Sequence, residues 1–257
     1  MIKQYVYAFL ALLFLSTLSS CWSIEVGQRF EHIAPGPWLG VFGFSTEIPS
    51  KIMEEKRDSI IRDKVPVEFL VNSDSAGVPK NFQFISGSDT ITSDSLKFWG
   101  DSVFVYFLAA KTNLRVVFEV DNMQGYLYDM EEIEYPVQFK AKAGKYARFP
   151  DIRRAPISDI TGNWDLLIAN NETENTHEGQ IDFRVATNTL YAKLHASELN
   201  KETHLEGTIQ GKYIYLSGFD GKTVIFLSGE ISEDGKSLVK TSLRVSDNVY
   251  DLKGNKM

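Results

Sequence analysis

Four histidines are the residues in this chain with the most direct access to acid-base or metal chemistry: His32, His177, His195 and His204. None stands at a His-x-x-x-His spacing. His195 and His204 fall on segments that read as different strands, so they would hold a metal only if both faced inward across a hairpin; surface or rim histidines are the plainer expectation. Carboxylates gather in two runs, Asp129, Glu131, Glu132 and Glu134 in one and Glu172, Glu174 and Glu178 in the other. Carboxylates held in pairs across a sugar cleave glycosidic bonds, whereas acidic loops on a solvated surface account for the same runs without chemistry. No Gly-x-Ser-x-Gly, no Gly-x-Gly-x-x-Gly and no P-loop occurs, so no nucleophile elbow or phosphate cradle is expected. The reading at this point is a chain that is not an enzyme, with no catalytic residue, no cofactor and no metal.

The single cysteine, Cys21, is the remaining reactive group. Before it, Lys3 is the only charged residue, and Tyr5 to Leu15 is almost wholly apolar. That stretch falls short of the roughly 20 residues a helix needs to cross a bilayer, and reads instead as a secretion signal. It closes on Leu18, Ser19, Ser20 and Cys21, which looks like a bacterial lipobox, where the thiol is acylated, the chain is cut before it and the new amino group is acylated in turn. Several acyl chains, each burying CH2 groups at about 0.8 kcal/mol apiece, hold a protein stably on a membrane. The mature chain would then contain no thiol, hence no internal disulfide and no thiol exchange. Loss of Lys3 with the leader moves the formal charge from -7 by one unit further negative. An acidic chain of this kind gets no electrostatic help from DNA, so nucleic acid is not expected as a partner.

Turn and strand signals organise the rest. Val65 to Val71, Asn81 to Ile85, Val103 to Ala109, Leu114 to Val120 and Val137 to Lys142 are short, rich in Val and Phe, and separated by Asp, Asn, Ser or Gly turns. Cleaner alternation follows in Trp164 to Ile168, Gly179 to Val185, Leu190 to His195, His204 to Ile209, Lys212 to Phe219, Val224 to Ile231, Ser237 to Val245 and Val249 to Lys253. The rhythm predicts an all-β fold of two tandem antiparallel barrel or sandwich modules in lipocalin- or avidin-like meanders, and eight strands are about enough to close a barrel and abolish its edges. Gly36-Pro37-Trp38 and Gly162-Asn163-Trp164 open the two halves alike, which predicts a duplicated unit with Trp38 and Trp164 plugging small barrels. The expected division is a signal peptide over 1–20, a tether over 21–34, a first β module over 35–149, a linker over 150–158 and a second module over 159–257. Ser50 to Lys64 breaks the pattern and reads as a charged helical or hairpin insertion. Phe82, Phe84, Phe98, Trp99, Phe104, Tyr106 and Phe107 crowd the first module; packed core is preferred for them over the lining of an apolar pocket.

The stretches "PGPWLGVF", "VPVEFLVNSDSAG", "WGDSVFVYF" and "VQFKAKAGKYARFP", followed by "DITGNWDLLI", "LEGTI" and "YIYLSGFDGKTVIFLSGEISEDGKSL", resemble the β-rich modules found in bacterial thioredoxin-like, TlpA-type lipoproteins. In that family the chemistry belongs to a thioredoxin domain with a Cys-x-x-Cys pair. No such pair exists in this sequence, so the resemblance carries over no catalytic residue and implies the non-catalytic front of the family.

The expectation that follows is a lipoprotein of the outer membrane, tethered at Cys21, acting as an accessory protein-binding subunit of an envelope complex. Trp22, Ser23 and Ile24 ahead of a lone Glu25 favour the periplasmic face over the cell surface. Two alternatives stay open: a barrel that binds an apolar or saccharide small molecule, and a detached partner of a thioredoxin-like reductase.

Overall fold

In the computed structural model, residues 33–44, 63–131, 136–149, 154–170, 173, 175–187, 189–197, 199 and 202–257 are described. Cys21 with its leader, His32, most of the charged insertion before Lys64, the linker positions 150–153, and Glu132, Glu134, Glu172 and Glu174 lie outside them.

Strand alternation does most of the folding work. In β2 (Lys64–Ser73) the side chains of Val65, Val67, Phe69 and Val71 are buried while their neighbours face out, as a period of two dictates for a sheet with one covered face. Around β2 lie β1 (Gly36–Gly43), β3 (Pro79–Ser86), β4 (Asp89–Thr92), β5 (Ser95–Trp99), β6 (Ser102–Phe107), β7 (Thr112–Phe118), β8 (Asn122–Asp129) and β9 (Val137–Ala143). They form a nine-stranded antiparallel sheet in the order β4-β3-β2-β1-β9-β8-β7-β6-β5. The sheet curls into a half-barrel whose edges, β4 and β5, are consecutive in sequence. Ser93 and Asp94 bridge the seam: the Ser93 N–H donates to the Phe82 carbonyl at 2.9 Å, the Phe82 N–H to Ser93 Oγ at 3.0 Å, and the Asp94 N–H to the Tyr106 carbonyl at 2.8 Å.

The second sheet is a closed barrel of eight strands: β10 (Gly162–Asn170), β11 (Thr176–Ala186), β12 (Thr189–Ala196), β13 (Thr203–Gln210), β14 (Tyr213–Phe219), β15 (Val224–Ile231), β16 (Ser237–Val245) and β17 (Asn248–Lys256). Closure comes from β10 pairing with both β11 and β17, which leaves no edge open for aggregation.

The two sheets begin on the same device. Gly36 and Gly162 sit at φ 101° and 120°, a region that favours glycine because a Cβ would clash there. Two residues on, the Trp38 indole N–H donates to the Ala34 carbonyl at 2.8 Å and the Trp164 indole N–H to the Ile160 carbonyl at 2.9 Å. Each Trp strand is flanked by the second and the last strand of its own sheet. The chain just past each last strand returns to the residue before the Trp, through Gly144 N–H to the Pro37 carbonyl at 2.8 Å and Met257 N–H to the Asn163 carbonyl at 3.0 Å. Both indoles are buried in their interiors, Trp38 stacked on Phe69 and Trp164 edge-on to Phe183.

Three strands, β4, β5 and β8, go beyond the segments the alternation predicts. Short polar β4 (DTIT), mostly exposed β5 and glycine-interrupted β8 (NMQGYLYD) bury too few side chains to declare a period.

The sheets share one compact unit, Glu31–Met257, because β14, β15 and β16 bury both faces. Ile214, Leu216, Ile225 and Leu227 belong to the barrel's own core, while the alternate residues Phe219, Val224 and Phe226 join the core of the half-barrel. The Phe219 ring, at the tip of the β14–β15 hairpin, lies 5.1 Å from Phe42, 5.0 Å from Phe84 and 5.5 Å from Phe107 between centroids. Gly221 follows it at φ 99°, and the Thr112 hydroxyl donates to the Gly221 carbonyl. What fills the open mouth of the first module is therefore a hairpin of the second.

Candidate functional site

The structure places three of the four histidines, His177, His195 and His204, on β11, β12 and β13. His177 and His195 are exposed, and Lys193 pairs with His204 across β12 and β13, so His195 and His204 both point outward; no metal-ligating group forms among the described residues. His204 accepts or donates at Nδ1 with the Ser88 hydroxyl. The carboxylate nearest its other nitrogen, Glu202, stands 3.9 Å away, beyond hydrogen-bond distance. Glu202 is held instead by Lys193 at 2.9 Å, and that hydrogen bond lowers its pKa from the ordinary 4.5. Through Ser88 the ring bridges the two modules. Asp129 pairs with Lys222 and Glu131 with Lys111, both as ordinary surface ion pairs.

The aromatic-rich segment of the first module divides between two faces. Phe82, Phe84 and Phe107 are core, where Phe69 stacks on Phe82 and Phe84 at 5.5 and 4.8 Å and Phe42 meets Phe139 at 4.9 Å. These rings fill the half-barrel interior. Trp99, Phe104 and Tyr106 point the other way. Register places them on the outer face of β5 to β9, in two rows that cross all five strands and a third that crosses four. One row runs Lys97, Phe104, Arg115, Tyr126, Gln138; a second runs Trp99, Ser102, Val117, Gln124, Lys140; a third runs Ser95, Tyr106, Asn113, Tyr128. At strand spacings of about 4.8 Å each five-residue row spans roughly 19 Å.

This face is aromatic, amide-bearing and cationic. Trp99 is 80% exposed, and Tyr126 and Val117 are also exposed. Arg115 lies over the rings of Tyr128 at 4.4 Å and Phe104 at 5.9 Å, and Lys97 over Tyr106 at 5.2 Å. Lys140 and Lys142 of β9 add positive charge beside it, and Glu119 lines the neighbouring groove. A groove of about 530 Å³ runs along it between Phe104, Arg115, Gln124, Tyr126 and Gln138, and a neighbouring one of about 510 Å³ reaches Leu39 and Val41 of β1. In a chain of net charge -7, it is a local reversal of sign.

Sequence reading places these rings in the core because β6, SVFVYF, is apolar or aromatic at nearly every position, which erases the period of two. Their grouping depends on pairing across β8.

No protein-family model matches the chain, and no curated protein matches it. Among solved structures, a protein of unknown function from the DUF3598 family of Nostoc punctiforme is 9% identical, with a TM-score of 0.27 over 87% of this chain and 96% of that one. Kievitone hydratase from Nectria haematococca is 12% identical, with a TM-score of 0.21 over 88% of this chain and 91% of that one. Neither likeness bears on what the chain does.

Proposed function

We propose that the chain is a non-catalytic lipoprotein, anchored through Cys21 at the periplasmic side of the outer membrane, that serves an envelope complex as an accessory protein-binding subunit. The observation that supports this reading is the outer face of β5 to β9. Trp, Tyr and Arg are the side chains that dominate binding energy where proteins meet, because they give large contact area at low entropic cost and retain a polar handle. Here Trp99, Tyr126, Tyr128 and Arg115 share the outer face of one sheet. The ring-filled interior of the half-barrel and the apolar side chains that pack the barrel weigh against a ligand held inside either one. The likeness to the β-rich modules of thioredoxin-like lipoproteins is of the same tenor, since those modules accompany an effector and do not act as one.

The test uses the full chain with a C-terminal tag, purified from detergent-solubilised envelopes beside a Trp99→Ala/Tyr126→Ala variant. A stoichiometric protein partner recovered with the wild type and lost with the variant, at unchanged thermal stability, is the expected result. Equal recovery by both, or the isolated chain alone, would refute it. Cys21→Ala is expected to leave the membrane fraction; retention there would remove the anchor.

A further inference from the structure

We propose that Arg115 is a preorganised carboxylate receptor, and that the segment docking on β5 to β9 presents acidic side chains to it; this rests on the protein-binding reading above and names the chemistry of the partner. Three observations carry it. First, the guanidinium is held before any ligand arrives. Its Nε donates to Asn113 Oδ1 at 2.7 Å, Asn113 is itself only 3% exposed, and the guanidinium lies over the Tyr128 ring at 4.4 Å with Phe104 at 5.9 Å. Second, the terminal nitrogens of that fork remain for a ligand. No carboxylate among the described residues pairs with Arg115, Lys97, Lys140 or Lys142, although acidic residues outnumber basic ones by 34 to 27 over the chain. Third, the fork opens on a groove between Phe104, Tyr126, Gln124 and Gln138, so an incoming carboxylate meets aromatic walls and amide donors beside it.

The physical consequence is specific. A planar guanidinium binds a carboxylate through two parallel N–H···O bonds, and a stacked, hydrogen-bonded guanidinium loses little further freedom on doing so. Lysine at the same position keeps the charge and loses the fork. Lys97 lies two strands from Arg115 in the same row, and Lys140 flanks the groove. They add long-range attraction that quickens encounter with an acidic partner, against the repulsion offered by the rest of an acidic molecule.

The experiment reads the Arg115 Nε–H resonance in full-length protein labelled with 15N-arginine, assigned by its loss in Arg115→Lys. The probes are an end-blocked Asp-Glu-Asp-Glu peptide, its Asn-Gln-Asn-Gln counterpart, a galacturonate oligosaccharide and phosphatidylglycerol vesicles. A saturable shift with the acidic peptide and none with its amide counterpart is expected. Capture of the protein partner should then fall at least about tenfold in Arg115→Lys, as for loss of a charge-assisted hydrogen bond. No shift with the acidic peptide overturns the proposal, and so does a response confined to the oligosaccharide or the vesicles. Capture that depends on Trp99 and Tyr126 but survives Arg115→Lys sinks the carboxylate receptor alone and leaves the docking face standing.

Discussion

Replacing Arg148 with Met should loosen the joint between the two sheets. Arg148 follows β9 in the segment that leaves the half-barrel, and its side chain is almost fully buried. Its terminal nitrogens donate to the carbonyls of Ile85 at 3.1 Å, Glu206 at 3.3 Å and Ser217 at 3.4 Å, so it binds backbone of both sheets at once. Two carboxylates face it, Glu206 at 3.6 Å and Glu68 at 3.8 Å. Breaking a buried ion pair by removing one partner costs about 3–5 kcal/mol, because a charge is left unpaired; here it is chiefly Glu206, the more buried of the two carboxylates. At about 2–4 °C per kcal/mol for a chain of this size, calorimetry on Arg148→Met should show a melting temperature roughly 6–20 °C lower. Burial raises the Glu206 carboxyl above its ordinary 4.5 while Arg148 opposes the rise. Removing Arg148 lifts it further. A carboxyl whose folded pKa is raised contributes stability that is fully present below its unfolded value and is lost as pH rises through the folded value. The deficit of Arg148→Met should therefore be smallest near pH 4.5 and grow toward neutrality, and Glu206→Gln should recover part of it. A drop under about 2 °C, or a deficit that is flat with pH, would refute the reasoning that Arg148 acts as a buried charge between the sheets.

Further outcomes follow from the same geometry. Phe219→Ala removes the ring seated among Phe42, Phe84 and Phe107 and should cost about 3–5 kcal/mol in urea denaturation; a loss under about 1 kcal/mol would mean the hairpin tip is not part of the half-barrel core. Gly162→Ala forces a Cβ onto a φ of 120° and should destabilise by about 1 kcal/mol or more, whereas unchanged stability would show that the turn before Trp164 tolerates side chains. Glu230 should titrate below its ordinary 4.5, since Lys212 hydrogen-bonds its carboxylate at 2.7 Å. Carboxyl-carbon NMR should see that pKa rise in Lys212→Met, and no change would remove Lys212 as the cause.

What the sequence discloses of this fold tracks how each strand is buried. In β12 the residues Leu190, Ala192, Leu194 and Ala196 alternate with outward polar ones, and the strand is plain from the text alone. In β15, VIFLSGEI, Ile225 and Leu227 face the barrel core while Val224 and Phe226 face the half-barrel. A strand covered on both sides shows no period, only an apolar run, so the strand is legible and the second sheet packed on it is not. Gly36 and Gly162 with their tryptophans disclose the shared opening of the two sheets, because a positive φ and a buried indole each need a particular residue type. Arg148 advertises nothing: it is one cation among several in "KAGKYARF", and its partners come from β2, β3, β13 and β14. The candidate face was half visible. Its aromatics stand out in the sequence, but Tyr126 and Tyr128 lie on a strand that glycine and polar residues conceal, and Arg115 joins them only through register.

The most direct test of the account is photocrosslinking in growing cells, with benzoylphenylalanine placed at Trp99 on the candidate face or at Lys253 on the outer wall of β17. One dominant adduct with an envelope protein from position 99, and none from position 253, is predicted. No adduct from position 99, or the same adducts from both, would contradict the claim that the outer face of β5 to β9 is where this protein binds.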